Sequence, residues 1–139
     1  MFYSSAVLDT KIVDNMRKLK HEEIYAFYFK KIKGKVGIID YIKFGEGNRR
    51  GIDDVDYEIA LNKYKSINAH SLVIVHNHPK QPFRFSKKVT PSDDDIHFTN
   101  HIKSVCAKRN ICFIDHVIVS KDGYYSFLEE KIENEDYGV

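Results

Sequence analysis

The feature that most limits the fold of this chain is a short apolar run, Leu72–Val75, that leads into His76, Asn77, His78 and Pro79. A run that is apolar at every position is typical of a strand buried on both faces of a sheet. Side chains two residues apart on a strand point the same way. Both imidazoles can therefore reach one metal ion at the end of a buried strand.

A second motif, Pro91-Ser92-Asp93-Asp94-Asp95, lies at the predicted start of a helix. Two neutral imidazoles and one carboxylate leave a position open on a tetrahedral zinc, which is the pattern of a catalytic site. The same spacing is also a helix cap, with Ser92 as N-cap and Asp95 at the third position, worth about 1 kcal/mol. The two roles of Asp95 do not exclude each other, and Asp93 and Asp94 remain alternatives in register.

Together these motifs resemble the JAB/MPN (JAMM) metalloprotein superfamily, whose signature is His-x-His-Pro, a spacer, and Ser-x-x-Asp. Within it the chain is most similar to the RadC branch. That branch adds a threonine four residues after the aspartate, and later an Asp-His pair before an apolar strand. Here these residues are Thr99 and Asp115-His116, and the resemblance extends from about Glu22 to Phe127.

The resemblance implies a zinc-dependent hydrolase that cleaves a peptide or isopeptide bond with activated water. It implies His76, His78 and Asp95 as zinc ligands, and the ligand types favour zinc. It also implies that Ser92 stabilises the oxyanion, although as an N-cap this serine would be purely structural. Inactive relatives usually lose the histidines or the aspartate, and this chain keeps them. The Asp-His pair either holds a ligand histidine by hydrogen bond or packs structurally.

A hydrolytic site of this kind also needs a general base for its water. In RadC-like chains it is a glutamate eight residues before an aspartate that ends an apolar strand. Glu22 meets this offset when it is counted to Lys30, which stands where the aspartate is usual. Glu23 is the adjacent alternative, and it would face the other side of the strand. Both glutamates could instead be exposed charges at a strand entry.

The order of predicted elements indicates an α/β fold, with a mixed β-sheet flanked by helices in one domain, residues 1–139. This agrees with the cytidine-deaminase-like sandwich that the resemblance implies. Residues 1–20 are interpreted as an N-terminal extension, 80–90 as an inserted loop and 129–139 as a tail that frays. The predicted strands cover 3–8, 24–29, 36–44, 71–76, 111–120 and 124–128. The predicted helices cover 10–18, 53–68 and 91–109, the last of them burying Ile96, Ile102, Val105 and Cys106.

The inserted loop, Lys80–Thr90, is longer than the spacer usual in the RadC branch. It carries four positive charges and two phenylalanines, Phe83 and Phe85. Basic residues with interleaved aromatics suit single-stranded nucleic acid. They suit the tail of a protein substrate equally well, and an ordinary variable loop is the third interpretation.

Composition narrows the class of protein further. A chain with 42% hydrophobic and 30% charged residues is a folded domain rather than a disordered one. It has no apolar stretch near the roughly 20 residues that span a bilayer. Its two cysteines, Cys106 and Cys112, are interpreted as reduced core thiols, which favours the cytoplasm.

The expected partner is a protein or peptide substrate, such as a ubiquitin-like conjugate. A nucleic-acid-binding protein associated with DNA repair and a scaffold that keeps its metal for stability are the alternative functions. A net charge of +2 is too small to argue for nucleic acid by itself.

Overall fold

The computed structural model describes residues 2–47, 52–79 and 89–136. The helices are α1 (Phe2–Leu8), α2 (Lys11–Met16), α3 (Tyr57–Ser66), α4 (Asp93–Lys108) and α5 (Phe127–Asp136). The strands are β1 (Glu23–Ile32), β2 (Lys35–Gly47), β3 (Ile52–Val55), β4 (Ser71–Asn77), β5 (Phe113–Val119) and β6 (Tyr124–Ser126). They form one sheet in the order β3-β2-β1-β4-β5-β6, in which β4 and β5 are parallel and the other neighbours antiparallel. The predicted mixed sheet flanked by helices is confirmed.

Strand β4 lies inside the sheet, and all of its residues are buried. Leu72 and Ile74 belong to the core on one face, and Val73 and Val75 belong to the core on the other. Each such side chain contributes about 1.5–3 kcal/mol when it is fully buried. A core on both faces explains why this strand is apolar rather than alternating.

Helices cover both faces of the sheet. Leu61 of α3 and Ile102 of α4 are buried in the first core, while Val7 of α1 and Met16 of α2 are buried in the second. Among the described residues, no helix is long and apolar enough to cross a membrane.

The prediction of a strand over residues 3–8 is wrong, because these residues form α1. Ser4 and Val7, three residues apart, are its buried residues, and Tyr3 packs edge-on against Phe29 with 4.9 Å between ring centroids. A short apolar run fits either a strand or a helix, and here packing against the sheet selects the helix. The helix predicted over 10–18 is confirmed as α2.

The helix predicted over 53–68 begins later in the structure. Strand β3 precedes it and pairs with Gly45–Gly47 of β2. Asp56 then occupies the N-cap position of α3. The sequence analysis missed β3 because the segment combines few apolar residues with nearby glycines.

The tail expected to fray is instead helical in its described part, where it forms α5. Asp115 fixes the start of this helix, since its carboxylate accepts hydrogen bonds from the Ser126 hydroxyl and from the Leu128 N–H. The Phe127 ring also stacks on the His116 ring, with 5.2 Å between centroids. Contacts from β5, distant in sequence, therefore order a segment that contributes little apolar material itself.

Two side chains expected in the core are exposed. Ile96 is 40% exposed, because the buried residues of α4 are Thr99, Ile102 and Cys106, and Ile96 lies in the first turn before this stripe. Cys112 is also exposed, whereas Cys106 is buried as predicted.

Candidate metal site at the end of β4

The two histidines follow the apolar run at the end of β4. Their ring centroids are 5.0 Å apart. His76 is buried, and the His78 side chain is 16% exposed. The His78 N–H donates to the C=O of Val119 on β5 (2.8 Å), which continues the ladder between β4 and β5 past Asn77. One imidazole is thus fixed inside the fold, and the other lies at the edge of the site.

Asp95 reaches both histidines from the first turn of α4. Its Oδ1 is 3.1 Å from His76 Nε2, and its Oδ2 is 3.0 Å from His78 Nε2. The predicted capping box is also present, because Asp95 Oδ2 accepts the Ser92 N–H and Ser92 Oγ accepts the Asp95 N–H. The cap therefore orients the carboxylate toward the histidines. Asp93 and Asp94, the alternatives in register, are exposed.

A buried chain of hydrogen bonds behind His76 fixes which of its nitrogens carries the proton. The Thr99 hydroxyl donates to the C=O of Asp95 (2.7 Å), so its oxygen accepts the Nδ1–H of His116 (2.6 Å). His116 Nε2 is then an acceptor, and it takes the Nδ1–H of His76 (2.7 Å). By this assignment the Nε2 of His76 carries a lone pair.

This lone pair provides a test of whether a metal fits the site. In the described part of the chain, His76 Nε2 is a buried nitrogen without a hydrogen-bond partner, and it faces a carboxylate oxygen at 3.1 Å. Two lone pairs at that separation repel each other unless a cation binds both. Ligand atoms around a tetrahedral zinc lie about 3.3 Å apart, close to the observed separations. The residues present fit a zinc ion.

The protonation states of these side chains also suit a metal. Burial lowers the pKa of His76 against the opposing effect of Asp95, and burial holds the pKa of His116 well below its ordinary value. For Asp95, burial raises the pKa, but the contacts of its carboxylate with the two site histidines and with the Ser92 N–H outweigh burial and hold the pKa well below its usual range. Neutral imidazoles and an ionised carboxylate are the forms that ligate metals.

Glu22, rather than Glu23, lies beside the histidines. The register pairs Ile24 with His76, and continuing it by two residues places Glu22 opposite His78. One ligand atom each from Glu22, His76 and His78 lies within 4.8 Å of the others, with Glu22 Oε1 4.0 Å from His78 Nε2. That separation is longer than a direct hydrogen bond.

Glu23 lies on the opposite face of β1, where its carboxylate has other partners. It contacts His21 Nε2 at 3.1 Å, the Tyr25 hydroxyl at 3.3 Å and Lys43 Nζ at 3.6 Å. His21, Glu23 and Glu46 could geometrically hold a cation. Lys43 already contributes a positive charge to both carboxylates, however, and disfavours a metal there.

Ser92 and the Asp-His pair have definite places in this structure. Ser92 is exposed, and its oxygen caps α4, while its hydroxyl hydrogen can still be donated. The two residues of the Asp-His pair have different contacts. His116 contacts a site histidine, whereas Asp115 anchors α5. Residues 80–88 of the inserted loop lie outside the described residues. The sequence analysis assigned Thr99 no role, although its place four residues after Asp95 on a helix could have suggested one.

Fold and site together define a JAB-type domain with a candidate metal centre. The family model described as "RadC-like JAB domain" matches residues 3–132. The chain therefore belongs to the family of RadC-like JAB domains.

Curated relatives agree with this assignment. The chain is 34% identical over 116 residues to a UPF0758 protein of Fusobacterium nucleatum, covering 81% of this chain and 46% of that protein. It is 49% identical over 63 residues to a UPF0758 protein of Streptococcus thermophilus, covering 45% of this chain and 25% of that protein. The chain thus spans less than half the length of these relatives, and their names state no reaction.

Proposed function

We propose that this domain is a zinc-dependent hydrolase that cleaves a peptide or isopeptide bond. The observation that carries the proposal is the buried Nε2 of His76, which has no hydrogen-bond partner among the described residues and faces the Asp95 carboxylate beside His78 and Glu22. A helix cap alone would not require this arrangement. Zn²⁺, when bound, supplies a Lewis acid that polarises a carbonyl and lowers the pKa of a water.

Each proposed role follows from a side chain's place. His76, His78 and Asp95 would hold the ion. Glu22 is 8% exposed and lies beside His78, so its carboxylate can take a proton from a water at the site and pass it to the leaving amine. Ser92 can donate its hydroxyl hydrogen to the oxyanion that forms on the substrate.

The proposed substrate is a protein or peptide, with a ubiquitin-like conjugate as one member of that class. All of these substrates contain an amide bond, which could be cleaved when it lies next to an accessible metal site. The proposed location is the cytoplasm, which is consistent with the two free cysteines.

The test compares Glu22→Gln with Glu23→Gln, which make the same chemical change on opposite faces of β1. Zinc-loaded proteins would be assayed on a library of fluorogenic peptide amides and on an ε-amino-linked isopeptide. We expect Glu22→Gln to keep its zinc and to lose about 100-fold or more of the rate. Glu23→Gln should cleave like the wild type.

Three results would contradict the proposal. Full cleavage by Glu22→Gln would remove Glu22 from the mechanism. A wild type that binds zinc and is stabilised by it, yet cleaves neither probe, would favour the metal-stabilised scaffold. Salt-dependent binding of single-stranded DNA by a protein that retains no zinc would favour the nucleic-acid alternative.

A further inference from the structure

Asn77 separates the two site histidines along β4, and its side chain lies on the opposite face of the strand. It is 1% exposed. Its carboxamide oxygen accepts the N–H of Glu23 (2.8 Å), and its NH₂ donates to the C=O of His21 (2.9 Å). These two groups belong to the peptide units on either side of Glu22. One buried side chain thus holds the Glu22 backbone at both ends.

The Asn77 carboxamide continues the hydrogen bonds between β4 and β1 beyond the point where the backbones of the two strands stop pairing. The last pair between β1 and β4 is Ile24 with His76. Beyond this pair the backbone of β4 still bonds to β5, where the His78 N–H donates to Val119. Asn77 therefore supplies from its side chain one acceptor and one donor where backbone pairing with β1 has ended.

Strand β2 holds the same residue from the other side. The Gly47 N–H donates to the C=O of Glu22 (2.9 Å). The Glu22 backbone is thus fixed between β2 and Asn77, while its carboxylate lies 4.0 Å from His78 Nε2. A slip of one residue in this segment would turn Glu23 toward the histidines instead.

We propose that Asn77 is a positioning residue that fixes the backbone of Glu22 and thereby directs its carboxylate into the metal site. The importance of this for catalysis rests on the hydrolytic function proposed above. The effect on the backbone does not depend on that function. The two claims can therefore be tested separately in one set of variants.

The experiment measures amide hydrogen exchange by NMR and hydrolysis of the peptide and isopeptide probes, both on zinc-loaded protein. Asn77→Leu removes both hydrogen bonds while the side chain keeps a similar size. Asn77→Asp keeps an acceptor for the Glu23 N–H but loses the donor to the C=O of His21. We expect the Glu23 amide to exchange about tenfold faster or more in Asn77→Leu, and by less in Asn77→Asp. The amide of Lys31, held by His70 Nδ1 at the far end of β1, should be unchanged.

Hydrolysis should follow the same order. A misplaced general base lowers kcat by about tenfold to a hundredfold, while KM and zinc content stay at wild-type values. In a Glu22→Gln background, Asn77→Leu should cause no further loss. Val73→Ala is the matched control, because it weakens the packing of β4 on the same face as Asn77 and leaves the hydrogen bonds to His21 and Glu23 in place.

Unchanged exchange at Glu23 in both Asn77 variants would overturn the proposal. An equal loss of kcat in Val73→Ala would also overturn it, because the effect would then be general destabilisation. If Asn77→Leu does not fold, Asn77→Asp decides by the same two criteria. If even the wild type cleaves neither probe, the hydrolytic function fails, and faster exchange at Glu23 with Lys31 unchanged would still support the backbone role of Asn77.

Discussion

Replacing Thr99 with valine removes one hydroxyl from the site and leaves the size of the side chain almost unchanged. That hydroxyl donates to the Asp95 C=O and accepts from His116 Nδ1–H, at 2.7 and 2.6 Å. In Thr99→Val the buried His116 N–H loses its acceptor. His116 then favours the tautomer protonated on Nε2, which moves the proton of His76 onto the nitrogen that faces Asp95.

The magnitude follows from the cost of the lost acceptor. A buried donor left unsatisfied costs about 1–3 kcal/mol. The same free energy stabilises the tautomers of His116 and His76 in which His76 Nε2 is unprotonated and can bind a metal. Because about 1.4 kcal/mol is a factor of ten, we expect the Kd for zinc to rise about 10- to 100-fold in Thr99→Val.

The assay is competition for zinc with a chromophoric chelator at neutral pH. Thr99→Ser is the control, since it keeps the hydroxyl and loses a buried methyl group. It should be less stable than the wild type but should bind zinc equally well. Wild-type affinity in Thr99→Val, or equal weakening in Thr99→Ser, would refute the tautomer argument.

Two further predictions concern stability. Asp115→Ala removes the acceptor of the Leu128 N–H. We therefore expect the free energy of unfolding to fall by about 1–3 kcal/mol and amide exchange in α5 to accelerate. Unchanged exchange in α5 would contradict the anchoring role of Asp115. In metal-free protein, burial lowers the pKa of His76 and of His116 below the value near 6.5 that both have in the unfolded chain, so the unfolded state binds more protons as the pH falls through that value. As the pH is lowered from about 7 to about 5, the free energy of unfolding should fall by up to about 1.4 kcal/mol per pH unit for each imidazole, as measured by urea unfolding. A value that does not change with pH would show that folding does not lower the pKa of these imidazoles.

Much of the site could be predicted from sequence because its parts are local. The apolar run and the two-residue spacing predict a buried strand with both imidazoles on one face, and β4 has this arrangement. The Ser92-x-x-Asp95 spacing predicts a capping box, which is present. The alternation of a strand also explains why Glu22 and Glu23 lie on opposite faces.

What the sequence could not predict depends on contacts between distant segments. Residues 3–8 read equally well as strand or helix until they pack on the sheet. Helix α5 depends on Asp115, which precedes it by more than ten residues. The roles of Thr99 and Asn77 appear only when β1, β4, β5 and α4 come together, because each side chain acts on a group of another element or another turn.

The central claim is that the end of β4 and the first turn of α4 bind one zinc ion. The most direct test is the metal content of the wild type and of Asp95→Asn, measured by elemental analysis after zinc is supplied. Asparagine can still accept the Ser92 N–H and cap α4, but it is a poor metal ligand. We expect about one zinc per chain in the wild type and a large loss in Asp95→Asn. A wild type without zinc, or a variant that retains all of it, would contradict the claim and leave Ser92 and Asp95 as a helix cap alone.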